Sequence, residues 1–383
     1  MKDKSIYKEL FPELAGNTLQ ALLLLIICIS SQSTSPLNAL IYSLSGDGKS
    51  HLIKAILKLI PNEWIFNLSA TTYAGLTRQP SDSLKNKIIY IAETHAKDND
   101  ISFVFRLLKT EGYFERAITG KDGETEIRRI NGPVCVIQTT STDLNKFAED
   151  DLNRDCVFTV ESDKKQKEDI LKLNAEKAKG RKSAKTNGTQ LKFKEYLKYF
   201  PFMNVHIPYA DLIIPKITTN RAARIQEQAH EIIRTIAMLN YPFKKEAFYS
   251  SEKITIEATI YDYEVAYELF QVAFESQLSC KSSLLMYFRH IKEGLLKEDI
   301  TIFTRTNVQE WTNLKSTSVK NKLRELVNFN LINIHTQHRS NRPAKYTLNN
   351  EINLNESIFI HPNELWSLVD KRRRAHKGAS NIN

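Results

Sequence analysis

The feature that most constrains the fold is the glycine-containing segment SLSGDGKS at residues 43–50. An apolar, β-like stretch precedes it at residues 37–44. The segment HLIKAILKLI, with apolar residues at helical spacing, follows it and ends at Pro61. Glycines let backbone N–H groups turn toward a phosphate, and the following helix points its positive N-terminal end at the same anion. The pattern therefore predicts a phosphate-binding loop between a strand and a helix.

The residue types within this loop indicate a nucleoside triphosphate as the ligand. We expect Lys49 to reach the β- and γ-phosphates and Ser50 to hold Mg²⁺ through its hydroxyl. Ser43 stands where the pattern GxxxxGK[ST] usually has its first glycine. The alternative interpretation is an ordinary strand-to-helix turn with a surface lysine. The expected ATP-binding residues of the loop are Ser45, Gly46, Asp47, Gly48, Lys49, Ser50 and His51.

A second apolar run, KIIYIAE, ends at Glu93. A P-loop ATPase needs one acid here to order the Mg²⁺ shell and another to polarise the attacking water. We expect Glu93 to be catalytic and to contribute to the metal site. The preceding residue is Ala92, where many such strands carry an aspartate. Either Glu93 activates the water and Mg²⁺ relies on Ser50 and waters, or catalysis is weak. The alternative is a strand that simply ends in a surface glutamate.

The segment RAITGKDGETEIRRINGP at residues 116–133 predicts a β-hairpin, because two β-like arms flank the turn Gly120-Lys121-Asp122-Gly123. Lys121 would lie at its tip, and Arg128 and Arg129 on the returning arm. The alternative is a solvent-exposed hairpin whose charges have no binding role.

Two further segments follow the hairpin. VCVIQTTS at residues 134–141 predicts a strand that ends in hydroxyl groups at the carboxyl edge of a parallel sheet, where ligands bind. Thr140 is the best candidate to contact the γ-phosphate or the attacking water, with Thr139 and Ser141 close competitors. In DDLNRDCVFTVE, Arg154 could reach a neighbouring subunit's nucleotide and stabilise transition-state charge. Otherwise it is a surface arginine paired with the adjacent aspartates.

The order of these motifs resembles that of the AAA+ ATPases of the MCM-like helicase group. It is most similar to the replicative helicases of mobile elements, such as staphylococcal cassette chromosomes and pathogenicity islands. The same core is also fused to primase domains in plasmid and phage proteins. The stretches LLKTEGYFERAITGKDG and PYADLIIPKITTNRAARIQEQAHEIIRTIAML also resemble that group. The resemblance covers residues 15–275.

The resemblance implies a role for each matching residue, and the roles given above for the loop residues and the acid match the family's motifs. Lys121 matches the tip of a hairpin that enters a central channel and grips DNA. Thr140 matches the sensor position, and Arg154 matches the arginine finger. Arg224, which opens the lid helix, matches a second-sensor arginine, although Arg221 stays open as an alternative. Relatives of this kind assemble as hexamers, so a homo-hexamer is expected.

The segment 281–350 carries 12 lysines and arginines against 5 aspartates and glutamates, a net charge of +7. Its pattern of helices and short strands predicts a winged helix-turn-helix, whose third helix would place Val319, Leu323 and Leu326 in the core. A winged helix used for protein contacts is the alternative. The residues expected to contact DNA here are Lys320, Lys322 and Arg324 on the helix, and Arg339 and Arg342 on the wing.

The expected fold class is thus α/β, an AAA+ P-loop ATPase with a parallel sheet, a helical lid region and a C-terminal winged helix-turn-helix. The alternation of apolar strands and helical stretches supports the parallel sheet. The tail beginning KRRRAHK is basic and is expected to be disordered. The predicted boundaries are 1–165 for the ATPase core, 166–192 for a basic linker, 193–276 for the helical lid region, 277–350 for the winged helix and 351–383 for the tail.

The bulk properties favour a cytoplasmic protein with a polyanionic partner. The 383-residue chain has a net charge of +10. Its four cysteines, Cys28, Cys135, Cys156 and Cys280, are far apart in apolar surroundings, which predicts buried thiols and not a zinc site or disulfides. The apolar run at residues 21–29 is shorter than the ~20 residues of a membrane span, so we expect a buried helix and no membrane association.

The leading functional hypothesis is an ATP- and Mg²⁺-dependent DNA helicase that replicates a mobile element. Single-stranded DNA would pass through the channel, duplex DNA would bind the winged helix, and a primase would be a further partner. The second hypothesis is an ATP-switched origin-binding initiator or helicase loader, which has no need of a lysine in a channel. The third is a DNA-binding regulator with a decayed P-loop, which Ser43 and Ala92 favour slightly.

Overall fold

The computed structural model describes most of the chain, in two units formed by residues 1–273 with 358–383 and by residues 274–357. The described residues are 9–12, 14, 16–43, 48–66, 73–94, 99–119, 124–142, 144, 147, 149–160, 168, 170–172, 175, 178–179, 187–216, 221–244, 247–249, 254–278, 282–312, 314, 316–328, 331–336, 343–349 and 358–380.

A five-stranded parallel sheet forms the centre of the first unit, as the alternating pattern predicted. Its strand order is β2-β3-β6-β1-β7. The central strands are almost entirely apolar because helices cover both faces of such a sheet. The strands are β1 (Ala39–Tyr42), β2 (Ile65–Phe66), β3 (Lys87–Ile91), β6 (Val134–Thr140) and β7 (Cys156–Thr159).

The helices of this part of the chain join the strands or precede the first of them. They are α1 (Thr18–Ser30), α2 (Lys49–Leu57), α3 (Tyr73–Thr77), α4 (Asn99–Thr110) and α5 (Glu149–Leu152). Short 3-10 turns of the unit lie at Asn62–Trp64, Ala210–Leu212 and Tyr241–Phe243.

Helix α1 confirms the prediction of a buried helix at residues 21–29, since every residue from Ala21 to Ser30 is buried. It packs against the sheet, where the Cys135 thiol lies 3.4 Å from the carbonyl oxygen of Ile27. Cys28, Cys135 and Cys156 are buried free thiols, as predicted, whereas Cys280 lies outside the described residues. In the described part of the chain, no helix has the length and hydropathy needed to cross a bilayer.

The predicted hairpin is present as β4 (Tyr113–Thr119) and β5 (Thr125–Asn131), paired antiparallel along their full length. Phe114 and Ile130 face each other at its base and are buried in the core of the unit, whereas most of the distal residues are exposed. The predicted turn, residues 120–123, lies outside the described residues. The hairpin thus projects from a firmly packed base.

Close backbone packing at this base requires a glycine. The Gly132 N–H donates to the carbonyl of Gly112 at 2.6 Å. A Cβ atom added to Gly132 would lie 2.9 Å from that same oxygen, closer than van der Waals contact allows. The residue between the hairpin and β6 is therefore restricted to glycine by backbone that cannot easily move.

The segment from 187 to 278 contains helices, as predicted, and also a sheet that the sequence did not predict. Its helices are α6 (Gly188–Lys198), α7 (Ala222–Leu239) and α8 (Ile260–Leu278). Three short strands pair in the order β8-β10-β9, and they are β8 (Met203–His206), β9 (Ala247–Tyr249) and β10 (Ile254–Glu257). Helix α6 starts inside the stretch predicted to be a linker, because Asn187 and Gln190 form a reciprocal capping box at its N-terminus.

The prediction that the basic tail is disordered is wrong for residues 371–380. They continue the helix α12 (Pro362–Ser380), which begins upstream of the basic run. The buried side chains of Phe359 and Leu365 anchor its start, and the ring of Phe359 lies 4.8 Å from that of Phe270 in α8. The apolar anchor lies before the basic run, so the run itself gave no sign of the helix.

The described residues of the second unit combine helices with an antiparallel sheet whose strands have the order β11-β13-β12. Its core contains Val319, Leu323 and Leu326, each at most 1% exposed, which confirms the predicted inner face of that helix. Its elements are α9 (Ser282–Glu298), β11 (Ile302–Thr304), α10 (Arg305–Thr312), α11 (Ser316–Asn328), β12 (Ile332–Thr336) and β13 (Lys345–Leu348).

Candidate nucleotide-binding site

The glycine-containing segment enters helix α2 in the way that an anion-binding loop requires. Gly48, immediately before the helix, has φ +89°, a left-handed conformation that glycine adopts without strain. A Cβ atom here would meet nothing within 4 Å, so the backbone faces open space. The N–H groups at the start of α2 lie at the positive end of the helix dipole. Residues 45–47 of the loop lie outside the described residues.

Lys49 lies at the carboxyl edge of the sheet, where β1 and β6 end. Its ammonium group donates to the carbonyl of Ser43 at 2.5 Å and to the carbonyl of Thr140 at 3.2 Å. Ser43 is buried, and its own N–H donates to the same Thr140 carbonyl at 3.2 Å. The lysine charge is thus held at the junction of the two central strands, directly beside the loop.

Glu93 lies two residues beyond the end of β3 and is held by the segment after β6. Its carboxylate Oε1 accepts hydrogen bonds from the Ser141 N–H at 2.9 Å and the Ser141 hydroxyl at 2.5 Å. The Glu93 N–H donates to the Thr139 hydroxyl at 3.1 Å. With φ +56°, Glu93 adopts a left-handed backbone conformation that is uncommon for a residue with a side chain. An exposed carboxylate is therefore fixed at this edge, on the strand next to β6.

The three hydroxyl residues at the end of β6 have different surroundings. Thr140 is fully buried, and its hydroxyl donates to the Thr94 carbonyl at 2.9 Å and accepts from the Thr142 N–H at 3.0 Å. Ser141 is exposed and contacts the Glu93 carboxylate. The assignment of Thr140 to a nucleotide contact stays a prediction, and this geometry favours its competitor Ser141.

Arg154 lies at the opposite edge of the same sheet. It lies two residues before β7. In the parallel register Cys156 pairs with Ala39, the first residue of β1, whereas the loop follows the last residue of β1. The two edges are separated by roughly 10 Å or more of strand, at about 3.3 Å per residue. Arg154 and the phosphate loop therefore lie at opposite edges of the sheet.

Helix α4 holds the segment around Arg154 in place. The Arg154 guanidinium donates through Nε to the Thr110 hydroxyl at 3.0 Å, so it is not simply a solvent-exposed arginine. Lys109 and Asp155 form a buried ion pair at 2.5 Å, with side chains 6% and 3% exposed. Burial raises the pKa of Asp155, while the Lys109 ammonium opposes that rise. Arg106 and Asp151 add a second, more exposed pair at 2.8 Å.

The comparisons with known proteins agree with this geometry. Residues 14–194 match the model of a family described as the MTBMA_p00010 P-loop domain. This part of the chain is similar to a P-loop domain. The match and the parallel sheet support an α/β P-loop fold and point to nucleotide binding and NTPase activity. No curated protein matches the chain.

The donor groups of the P-loop domain suit a nucleoside triphosphate with Mg²⁺. Lys49 supplies a cation, Ser50 an exposed hydroxyl at the start of α2, and Glu93 an exposed carboxylate. Within the described residues, no group of three or more histidine, cysteine, aspartate or glutamate side chains forms a metal site of its own. The hydroxyl of Ser50 and the carboxylate of Glu93 fit Mg²⁺, which is usually bound through one or two protein oxygens, waters and the phosphates themselves.

The other predicted site residues are distributed over three places. His51 is exposed in the first turn of α2, and Arg224 is partly buried in the first turn of α7. Arg128 is exposed on β5 and pairs with Glu126 at 3.3 Å. The predicted residues that lie outside the described residues are Ser45, Gly46, Asp47, Lys121, Arg339 and Arg342.

In the second unit, the predicted DNA-contacting residues of α11 do not share one environment. Lys320 and Arg324 are exposed and lie one turn apart, so they share a face of the helix. The Lys322 ammonium lies 5.2 Å from the centre of the Tyr287 ring, a cation–π arrangement. Lys322 therefore contributes to packing within the unit, and Lys320 and Arg324 remain the better candidates for contacts with DNA.

Sequence reasoning missed the residues that position the candidate catalytic groups. Thr110 and Lys109 hold the Arg154 segment, but no motif marks them, since their partners come from elements far apart in the chain. Asp155 was among the aspartates considered as partners of Arg154, and it forms a buried pair with Lys109. Ser141 was considered only as a competitor of Thr140. Its link to Glu93 depends on β3 and β6 being neighbours, which the strand order determines and local sequence does not.

Proposed function

We propose that this protein is an ATP-dependent DNA helicase that assembles as a homo-hexameric ring and translocates on single-stranded DNA. The observation that carries the proposal is the β4–β5 hairpin. Along the chain it lies between α4, which holds the Arg154 segment, and β6, whose end meets Lys49 and Glu93. The hairpin is thus joined directly to both elements. The AAA+ and MCM-like assignment, and a role in replicating a mobile element, rest on the motif resemblance.

The residues of the carboxyl edge have separate roles in the proposed hydrolysis. Lys49 and the N–H groups at the start of α2 bind the phosphates. Ser50 and Glu93 would hold Mg²⁺, which when bound neutralises phosphate charge. Glu93 also orients and polarises the attacking water, and the bonds from Ser141 keep its carboxylate at the edge of the sheet.

The location of Arg154 supports the ring. Because it lies at the edge opposite its own phosphate loop, a catalytic role requires the nucleotide of an adjacent subunit. An arginine supplied in this way stabilises charge in the transition state, which is worth on the order of 10³ or more in rate. Such a head-to-tail contact between identical subunits closes into a ring when the rotation permits.

The hairpin is the proposed DNA-contacting element of the ring. Arg128 is exposed on β5, and Lys121 belongs to the turn at the tip. Contacts made by such residues are directed at phosphates, so binding should be salt-sensitive and independent of sequence. The second unit supplies a winged helix in this proposal, whose α11 presents Lys320 and Arg324 to duplex DNA. A primase is a further proposed partner, on the resemblance alone.

The test measures ATP hydrolysis with and without single-stranded DNA, together with unwinding of a forked duplex. Wild type should hydrolyse ATP faster with DNA and should unwind the fork. Lys49→Ala should abolish both activities. Lys121→Ala should keep basal hydrolysis but lose DNA stimulation and unwinding. The control is Lys85→Ala, which removes the same surface charge elsewhere. Full unwinding by Lys121→Ala, or no hydrolysis by wild type, would refute the helicase.

The exposed basic face of α11 favours a second function, an ATP-switched initiator or helicase loader. That protein would bind duplex origin DNA through Lys320 and Arg324 and would use ATP to control assembly. It has no need of a hairpin in a channel. Duplex binding that requires ATP, combined with Lys121→Ala behaving as wild type, would support the initiator over the helicase.

A further inference from the structure

The C-terminal part of helix α12 is a concentrated positive surface. Residues 371–377 contain five lysines and arginines and no acidic residue. The side chains from Lys371 to Ala375 are all exposed. Four consecutive cationic residues, at 3.6 residues per turn, surround the helix on every side.

This basic segment is held rigidly by the anchor of α12. The Trp366 indole N–H donates to Glu264 at 3.0 Å, and its ring lies 5.4 Å from that of Tyr261. The Tyr263 hydroxyl donates to the Ile360 carbonyl at 2.6 Å, just before the helix. The cations are thus presented on a preformed helix, and binding to them costs little conformational entropy.

Only part of the charge is balanced within the protein. Arg372 pairs with Asp211 at 2.7 Å, which fixes the helix to the 3-10 turn Ala210–Leu212. Arg374 pairs with Asp370 at 2.6 Å within the helix. Within the described part of the chain, Lys371 and Arg373 are within salt-bridge distance of no carboxylate. Among the described residues, these two exposed cations therefore have no carboxylate partner and can contact an external anion.

The chemistry of the segment selects among anionic partners. A helix that binds a membrane surface needs an apolar face beside its basic one, but residues 371–380 have no side chain more apolar than alanine. Three of the four consecutive cations are arginines, whose planar guanidinium groups match phosphate oxygens. A polyphosphate backbone therefore fits this surface better than a lipid bilayer does.

We propose that residues 371–377 of α12 form a DNA phosphate-binding surface, in addition to the hairpin and α11. The inference rests on the proposed function only in taking DNA as the partner. The contact would be sequence-independent, because phosphates carry no base information. It would add affinity for DNA outside the ATPase site, so ATP hydrolysis in the absence of DNA should not depend on it.

The test is a salt titration of the full-length protein with a labelled oligonucleotide, single-stranded and duplex. The variant is Lys371→Ala/Arg373→Ala, which leaves both ion pairs of α12 intact. Each phosphate contact contributes about 0.9 to the slope of log K against log salt, so the slope should fall by about 2. The control, Lys85→Ala/Lys192→Ala, removes the same charge elsewhere in the unit and should bind as wild type does.

Three outcomes would overturn the inference. They are an unchanged slope for the α12 variant, an equal loss in the control, and a loss of binding to anionic-lipid vesicles or acidic protein without any loss of DNA binding. The variant Lys121→Ala distinguishes a failure of the α12 proposal from a failure of the helicase proposal. If Lys121→Ala impairs DNA-stimulated hydrolysis but the α12 variant binds DNA as wild type does, the proposed α12 surface is refuted and the helicase proposal stands. If wild type binds no DNA, both fall.

Discussion

At the scale of single residues, the contact between Glu93 and Ser141 makes a specific prediction about catalysis. Ser141→Ala removes the hydroxyl but keeps the backbone N–H that also holds the carboxylate. A hydrogen bond to a charged group is worth about 1.5–3 kcal/mol, so the kcat for ATP should fall about tenfold or more. The KM for ATP should stay unchanged, because Ser141 orients the acid and does not bind the phosphates.

The control for Ser141→Ala is Ser141→Thr, which keeps the hydroxyl and should restore most of the kcat. Steady-state ATPase kinetics with both variants separate orientation from substrate binding. A wild-type kcat in Ser141→Ala would show that the backbone N–H alone is sufficient. A raised KM with unchanged kcat would place Ser141 at the phosphates, the role that the sequence analysis gave first to Thr140.

Glu231 makes a prediction about pH and stability. It is buried in α7, and among the described residues its Oε1 has no hydrogen-bond partner, although Oε2 accepts from Arg234 at 3.3 Å. Burial raises the pKa of Glu231 above its ordinary value of 4.5. The folded state therefore holds this proton to higher pH than the unfolded state does. Its contribution to stability is highest below the ordinary pKa and is lost as the pH rises through the folded pKa.

Replacing Glu231 with methionine should remove the cost of burying a charged carboxylate at high pH while it keeps the volume of the side chain. We expect stabilisation of about 1 kcal/mol near pH 8 and less near pH 5. Urea unfolding at several pH values gives the measurement. Arg234→Met is the matched variant and should destabilise the protein, because it removes the guanidinium that balances the charge of the Glu231 carboxylate. Equal effects of Glu231→Met at every pH would contradict the assignment.

At the scale of elements, the packing of α9 against α10 depends on one glycine. Alanine normally favours a helix interior over glycine by about 1 kcal/mol. A Cβ atom on Gly294, however, would lie 2.2 Å from the ring of Trp311, whose indole N–H is fixed by Glu298 at 2.6 Å. Gly294→Ala should therefore destabilise the second unit by roughly 1–3 kcal/mol, the usual cost of overpacking.

Differential scanning calorimetry of the full chain measures this effect. Gly188→Ala is the control, since a Cβ atom at Gly188 would meet nothing within 4 Å. This control should leave the transition temperatures unchanged or raise one of them slightly. A stabilised Gly294→Ala variant would mean that the Trp311 ring moves aside without cost.

The elements also show how far sequence reasoning reaches. Helices α7 and α11 and buried helix α1 were predictable because their apolar residues recur with helical spacing or form one long run. The β8-β10-β9 sheet was not, because its strands have three or four residues and its parallel pairing is non-local. The basic end of α12 was mistaken for a disordered tail, since its stability comes from residues upstream and from α8.

The location of the candidate site residues was predictable in part, but their connections were not. The local pattern predicted that Lys49 and Glu93 lie at strand ends, and both lie at the carboxyl edge of the sheet, because a glycine-containing loop and an acidic strand end are short-range features. The strand order that brings Ser141 to Glu93 and places Arg154 at the far edge is a property of the whole sheet. The ion pairs of α4 with the Arg154 segment likewise join residues that no sequence motif connects.

At the scale of the whole molecule, the location of Arg154 predicts complementation between two inactive variants. In the proposed ring, Lys49→Ala lacks its own phosphate contact, and Arg154→Ala cannot serve its neighbour. Mixed rings would contain interfaces that combine an intact Lys49 with an intact Arg154. At a one-to-one ratio and random assembly, about a quarter of the head-to-tail interfaces should be of this kind.

ATPase activity of the mixture, compared with each variant alone, gives the measurement. Activity well above the sum of the two variants, after subunits have exchanged, is the expected result. The matched mixture of Lys49→Ala with the double variant Lys49→Ala/Arg154→Ala should stay inactive. An inactive mixture of the two single variants that nevertheless assemble together would refute the trans role of Arg154.

The strand order of the P-loop domain also has a consequence for synthesis on the ribosome. Strand β1, which leads into the phosphate loop, lies between β6 and β7 and pairs with both. An apolar strand and the preceding apolar helix α1 are therefore made long before the partners that complete the sheet around them. Contacts so distant in sequence form slowly, and unpaired strand edges favour aggregation meanwhile. A nascent chain that ends within the hairpin therefore still has β1 unpaired and cannot yet hold a nucleotide.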